Sequence, residues 1–212
     1  MQTISEIRRD YKLKTLDESS VVSDAIQQFE QWWKEAVDSK IDEVNAMTLA
    51  TSDANAVPSA RIVLLKGFSK EGFVFYSNYL SHKGQQLKDN PIACLVFFWK
   101  ELERQVRISG AVEKVSEQES DDYFKSRPAA SKAGAWASPQ SSVIESRKSL
   151  ENNFFKVQEQ YPDNNIPRPA YWGGYIVKPI NIEFWQGRAS RLHDRLMYTK
   201  KEAGWIIERL AP

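Results

Sequence analysis

The sequence contains no GxSxG or Walker-type loop and no cluster of metal ligands, so the residues that could do chemistry are basic and hydroxyl side chains beside aromatic ones. Four stretches combine them. RIVLLK (Arg61, Ile62, Val63, Leu64, Leu65 and Lys66) reads as a buried strand with a cation at each end. It is either a phosphate grip or two strand-end charges reaching solvent. Positions 61 and 66 differ by an odd number and would face opposite sides of a flat strand, so one shared ligand requires a bulge or two ligand parts. FYSNYLSHKG, residues 75–84, sets Tyr76, Ser77, Ser81, His82 and Lys83 where a strand ends and a helix begins. Free N–H groups at a helix start suit an anion, although Ser81 could serve merely as a cap.

The third stretch, DDYFKSRPAASKAGAW, spaces Tyr123 and Arg127 four apart, which brings a phenol and a guanidinium onto one helix face. Pro128 breaks that helix and can open another, placing Ser131 near a second helix start. The group is a phosphate clamp or an ordinary solvated helix end. The fourth, FWQGRASRLHDRLMY, holds Trp185, Arg191, His193 and Arg195. On a strand, 191, 193 and 195 share a face, and that crowding of cations is unfavourable without an anion or an electron-rich ring.

A strand-rich framework has to position these groups. Residues 24–37 carry apolar side chains at Ile26, Phe29, Trp32, Trp33, Ala36 and Val37, the stripe of an amphipathic helix, with Asp24 and Gln27 spaced as a capping box. Short β-rich runs follow: NAMTLATS, VPSARIVLLK, FVFYS after a turn over 67–72, IACLVFFW and RQVRISGAVEKV. The last puts Val106, Ile108, Gly110 and Val112 on one face. A helix over 81–88 interrupts the set. Later, YWGGYIVKPINIEFW alternates Ile180, Ile182 and Phe184 against Asn181, Glu183 and Trp185, and GWIIERLAP closes the chain as a strand. Ser116 with Glu119 and Ser142 with Glu145 are further capping-box spacings, opening helices that run to about 126 and about 160. Without regular helical crossovers, an antiparallel barrel is expected rather than a doubly wound parallel sheet. Residues 1–20 read as a mobile arm and 21–212 as a single domain.

The 212 residues are 42% hydrophobic, enough for a real core. With 29 Lys and Arg against 28 Asp and Glu, the net charge of +1 offers no bulk field for DNA or an anionic membrane, so any anion must be held locally. The single cysteine, Cys94, fits a reducing compartment. MQTISEIRRDYKLK lacks the apolar core of a signal, and no stretch approaches the roughly 20 apolar residues of a membrane span. A cytoplasmic globular protein is expected, without nucleic-acid, membrane or metal partners.

In combination and in order, RRDY, RIVLLK, FYSN, LERQVRISG, YFKSRP, GAWAS, QSS, YWGGY, IEFWQG, RLHDR and ERLAP resemble the pyridoxine (pyridoxamine) 5′-phosphate oxidase family over essentially the whole chain. The resemblance implies a homodimer of split β-barrels with FMN between the subunits. It implies flavin contacts at Arg61 to Lys66, Tyr76, Ser77, His82, Lys83, Gln105, Gln140, Ser141, Trp185 and Arg195. The substrate phosphate is implied at Lys66, Tyr123, Arg127 and Ser131. Arg191 and His193, with Leu192 between them, match the catalytic pair that covers the pyridine ring. Arg8, Arg9, Asp10 and Tyr11 match a segment that folds over substrate. His82 stands where Arg is common, a mostly neutral side chain in place of a fixed charge, and EVNAM departs from EPNAM at Val44. The implied reaction passes a hydride from the substrate's 4′ carbon to FMN, with dioxygen as final acceptor. A flavin or pyridoxal-phosphate binding protein without turnover, and a split-barrel flavoenzyme acting on another aromatic substrate, are the alternatives.

Overall fold

The computed structural model describes residues 3–6 and 10–212, so Arg8 and Arg9 lie outside the described residues. Helix α1 (Ala25–Asp38) is followed by β1 (Ala46–Ser52), β2 (Pro58–Leu64), β3 (Gly67–Ser69), β4 (Gly72–Asn78), α2 (His82–Asp89), β5 (Ile92–Trp99) and β6 (Arg104–Lys114). Then come α3 (Glu117–Ser126), α4 (Ala129–Ala137), α5 (Arg147–Gln160), β7 (Trp172–Gln186), β8 (Asp194–Lys201) and β9 (Gly204–Arg209). Every strand pair is antiparallel, in the order β2-β1-β5-β6-β7-β4-β3, with β8 also on β7 and β9 on β8.

Two features make this sheet a barrel that is split along one side. The long strand β7 pairs with β6 on one edge, while its other edge takes β4 near its start and β8 near its end. At the sheet's other extreme, β2 runs directly into β3. Leu65 N donates to Asn45 O and Lys66 N to Val74 O, both at 2.8 Å, which stitches the barrel shut at the 65–66 link. Beyond that link β2 and β4 do not pair, and a gap opens between them.

Alternation fills the barrel. Leu49, Leu95, Ile108, Ile182 and Tyr198 form one cross-strand row, all buried. α1 closes over the core, its start fixed by the Asp24 carboxylate, which accepts from Ile26 N and Gln27 N. Phe29 is the centre of that closure, edge-on to Phe68 at 5.0 Å and Phe73 at 4.8 Å. Residues 10–20 are tied down at several points. Lys12 N and Leu13 N donate to the Glu103 carboxylate, Leu16 N donates to Asp194, and the Leu16 side chain is buried. Among the described residues, no helix is long and apolar enough to cross a membrane.

The structure corrects several local expectations. The 67–72 turn contains a short strand, β3, held by pairing with β4. Helix α5 starts at Arg147 behind a Ser146–Ser149 capping box, not at Ser142. Ile180 is 48% exposed instead of facing inward with Ile182 and Phe184. The register slips between Ser109 and Gly110, leaving Ile180 as the extra residue of a bulge. Gly110 is required there, because a Cβ would stand 2.1 Å from Lys178 O.

Removing the Phe29 ring leaves a void under α1 that the surrounding aromatic rings cannot collapse into. Phe29→Ala is expected to cost about 3–5 kcal/mol in urea unfolding, with the midpoint lowered at unchanged slope. A loss below about 1 kcal/mol would mean that α1 does not hold the core as described.

Candidate active site at the split of the barrel

The gap between β2 and β4 is a cleft of about 970 Å³. Arg61 lies in the interior cross-strand row opposite Leu49, at the edge where the barrel fails to close. Among the described residues its guanidinium is held by neutral oxygens. Nη1 donates to Thr51 Oγ1 at 2.5 Å, and Nη2 to Ser59 Oγ at 2.7 Å and Gln86 Oε1 at 3.3 Å. Burial pushes its pKa down. Lys66 lines the same cleft. The parity conflict disappears because β2 ends at Leu64 and alternation stops at the link.

Lys83 enters from α2, whose first turn is capped by Ser81 Oγ accepting from Gly84 N. Its buried ammonium donates to Ser77 Oγ at 3.1 Å, Ser81 Oγ at 3.3 Å and Gln140 Oε1 at 3.0 Å. Its pKa is pushed down to about 8, first by burial and second by the Arg61 charge. His82, the first residue of α2, also lines the cleft, as does Ser141 in left-handed backbone at φ 73°.

The far wall is aromatic. Tyr76 stacks on Tyr123 at 3.9 Å and on Trp172 at 5.6 Å. Arg127 departs from its expected place. It follows the last residue of α3 in extended backbone, so it lies not on Tyr123 but over Trp172, at 4.6 Å. Its Nη1 is buried without a hydrogen-bond partner among the described residues, and burial lowers its pKa. Ser131 sits in the first turn of α4, after Pro128 at the cap. The cleft thus gathers Arg61, Ile62 to Leu64, Lys66, Tyr76, Ser77, His82, Lys83, Gln140 and Ser141 together with Tyr123, Arg127 and Ser131.

The remaining predicted residues lie elsewhere. Gln105, Trp185 and Arg195 are register partners across β6, β7 and β8. They stand two residues along each strand from Arg107, Glu183 and Met197, the row that also contains Ile62, and so they share the sheet's outward face. Trp172 and Trp185 are thirteen residues apart on β7, roughly 40 Å if that strand were straight. One chain therefore does not bring the two sets together.

Residues 191, 193 and 195 do not share a strand face. Ala189–Arg191 form a 3-10 turn with Ser190 and Arg191 in left-handed backbone, and β8 starts only at Asp194. Nor are the cations left crowded. Arg195 Nε donates to Glu183 Oε1 at 2.8 Å, and Arg107 Nη1 lies 3.1 Å from Glu183 Oε2 as an ion pair without hydrogen-bond alignment. His193 is drawn down in pKa, first by partial burial and then by Arg191, against the opposing pull of Asp194. Tyr11 approaches Trp185 at 5.8 Å and His193 at 6.0 Å, whereas Asp10 pairs with Lys12. Leu192 is exposed beside the arm.

Thr51, Ser59, Gln86 and Trp172 were not singled out from the sequence. Trp172 stood within YWGGY, but the three polar residues carry no spacing signal and become visible only when β1, β2 and α2 are brought together.

The description "Pyridoxamine 5′-phosphate oxidase" fits a family model over residues 33–161, and "Pyridoxine 5′-phosphate oxidase C-terminal dimerisation region" fits a second over 172–212. A pyridoxine/pyridoxamine 5′-phosphate oxidase of Trichormus variabilis is 55% identical over 212 residues, covering 100% of this chain and 99% of that protein. The enzyme of the same name from Paraburkholderia phymatum is 56% identical over 213 residues, covering 100% of both. Among solved structures, PhzG from Burkholderia lata 383, in complex with tetrahydrophenazine-1-carboxylic acid, superposes with a TM-score of 0.88 at 27% identity, covering 94% of this chain and 99% of its own. A pyridoxamine 5′-phosphate oxidase-related, FMN binding protein from Nostoc punctiforme matches in fold, with a TM-score of 0.70 at 17% identity over 87% of this chain and 97% of its own. With both family regions matched, and full-length relatives more than half identical, the chain belongs to the pyridoxine/pyridoxamine 5′-phosphate oxidase family.

Proposed function

We propose that the chain is an FMN-dependent oxidase that converts pyridoxine 5′-phosphate and pyridoxamine 5′-phosphate to pyridoxal 5′-phosphate, working in the cytoplasm as a homodimer with dioxygen as the final acceptor. The charge of the cleft carries this reading. Arg61, Lys66, Lys83 and Arg127 surround one space, and among the described residues none of them lies within 4.0 Å of a carboxylate. Three of them, Arg61, Lys83 and Arg127, are drawn partly out of water without a counter-charge, which is unfavourable, and a phosphate arriving with a ligand offsets that cost.

The donor set fits FMN. Arg61, Ser77, His82 and Lys83 would hold its phosphate at the start of α2, where main-chain N–H groups add to the attraction. The backbone of Ile62 to Leu65, with Lys66, Tyr76, Gln140 and Ser141, would flank the rest. Gln105, Trp185 and Arg195 would come from the second copy, because they face outward and away from their own chain's cleft. The outer sheet face supports that assembly. Ile62 is 66% exposed and Phe98 55%, apolar side chains on a strand face that lacks a cover in one chain.

The chemistry that FMN supplies when bound is acceptance of a hydride from the substrate's 4′ carbon and delivery of the electrons to dioxygen, yielding hydrogen peroxide and, from the amine, ammonia after hydrolysis. The chain's residues bind and orient. Lys66, Tyr123, Arg127 and Ser131 would grip the substrate phosphate, with the unpartnered Nη1 of Arg127 as a ready donor. Arg191, Leu192 and His193 would cover the ring. Arg8, Arg9, Asp10 and Tyr11 would close over it and exclude water, and the contacts of Tyr11 with Trp185 and His193 support this.

The deciding experiment is addition of pyridoxine 5′-phosphate to the FMN-loaded protein without air. The flavin colour should bleach and return on aeration. No bleaching by either vitamer phosphate overturns the reading, and bleaching only by a phenazine precursor moves the chain to a different aromatic substrate. Arg127→Ala should raise KM by about 10- to 150-fold, the equivalent of about 1.5–3 kcal/mol for one charge-assisted contact, with kcat little changed. An equal fall in kcat would place Arg127 outside substrate anchoring. FMN affinity should also fall as pH rises past about 8, because Lys83, with its pKa pushed down to about 8, loses its charge there in the free protein. Fluorescence titration across that range checks this. Lys83→Gln should flatten the profile, and an unchanged slope in that variant would remove Lys83 from the site.

A further inference from the structure

Arg188 and His193 face each other across the turn that joins β7 to β8. Two consecutive side-chain-bearing residues, Ser190 at φ 57° and Arg191 at φ 61°, occupy left-handed backbone, which folds the chain back sharply. That fold brings His193 Nδ1 to 3.1 Å from the main-chain nitrogen of Arg188. A main-chain N–H can only donate, so Nδ1 is the accepting nitrogen and carries no proton. The ring is confined on its other sides by Trp185 at 4.6 Å and Tyr11 at 6.0 Å. The turn is pinned as well. Arg188 Nη1 donates to Asp194 Oδ2 at 2.6 Å, Asp194 Oδ1 accepts from Arg209 at 3.0 Å, and Gly187 N donates to Glu103 O at 2.8 Å.

We infer that His193 presents Nε2–H to the substrate as a fixed, neutral hydrogen-bond donor, and that Arg188 is the positioning residue whose main-chain N–H sets this tautomer. What Nε2 faces rests on the oxidase reading: an oxygen substituent of a phosphorylated hydroxypyridine. The tautomer does not depend on that reading. Protonating Nδ1 would set two N–H groups against each other, and Nε2 already carries its proton. His193 therefore orients the ring by donating to it, and does not receive the proton that the alcohol or amine gives up. Partial burial and the Arg191 charge work in the same direction, holding the imidazole neutral against the pull of Asp194.

Nitrogen-15 NMR of the histidine-labelled holoenzyme at neutral pH tests this. The chain has two histidines, so the His193 signals are those that disappear in His193→Gln. The expected spectrum has a pyridine-type Nδ1 and a pyrrole-type, proton-coupled Nε2. A protonated Nδ1, in either the other tautomer or the imidazolium, overturns the inference. Single-turnover flavin reduction gives a second readout, since a Gln amide can donate a hydrogen bond but cannot act as a base. His193→Gln should stay within about 10-fold of the wild-type rate while His193→Ala loses about 100-fold, the lower end of what removal of one preorganised hydrogen-bond donor costs. Equal losses in the two variants overturn the donor role. If the protein bound no FMN and oxidised neither vitamer, the oxidase reading would fall, while the spectrum would still decide the tautomer.

Discussion

The rest of the structure is arranged around positive charge that, among the described residues, has no negative partner. Elsewhere in the chain the partly buried guanidiniums are answered by carboxylates: Arg104 by Glu35, Arg168 by Asp121 and Glu117, Arg195 by Glu183. At the split between β2 and β4 the pattern reverses. Arg61 is held by Thr51, Ser59 and Gln86, and Lys83 by Ser77, Ser81 and Gln140, all neutral acceptors. These contacts orient the cations without cancelling them, so their field is focused into a cleft with low-dielectric walls. An anion entering that cleft meets donors already in place, with little reorganisation left to make.

The same barrel keeps Gln105, Trp185 and Arg195 away from the cleft of their own chain. β7 carries Trp172 at the cleft and Trp185 on the distant outward face, and both ends are fixed by pairing, with β4 at one end and β8 at the other. The bulge at Ile180, made possible by Gly110, bends the strand between them. A strand paired along its length cannot fold back to bring its ends together. In the proposed homodimer, a second copy packed on the apolar outer surface that includes Ile62 and Phe98 would bring those three residues to the cleft without distorting the sheet.

Much of this was legible in the residues. β5 matches the run IACLVFFW, and β6 was read to within a residue, because strands with one face buried write their register as a period of two. The losses have local causes. β3 is too short to show a period, and the Ser142–Glu145 spacing mimicked a cap that Ser146 actually makes. Tyr123 and Arg127 were four apart, but the helix ended between them, and the strand assumed for Arg191 and His193 is a left-handed turn. The cations of the cleft could be named in advance because charge at a strand or helix end is conspicuous. Their neutral holders could not. Thr51 and Gln86 are ordinary polar residues until β1 and α2 meet, and the ion pair of Arg195 with Glu183 depends on a register between β7 and β8 that no short pattern encodes.

Calorimetric titration of the cofactor-free protein with FMN and with riboflavin tests the central claim most directly, because the two ligands differ only in the phosphate. Two or more charge-assisted contacts, each worth about 1.5–3 kcal/mol, predict that FMN binds at least about 100-fold more tightly. Equal affinities would contradict the account, since the uncompensated cations would then have no anion to hold.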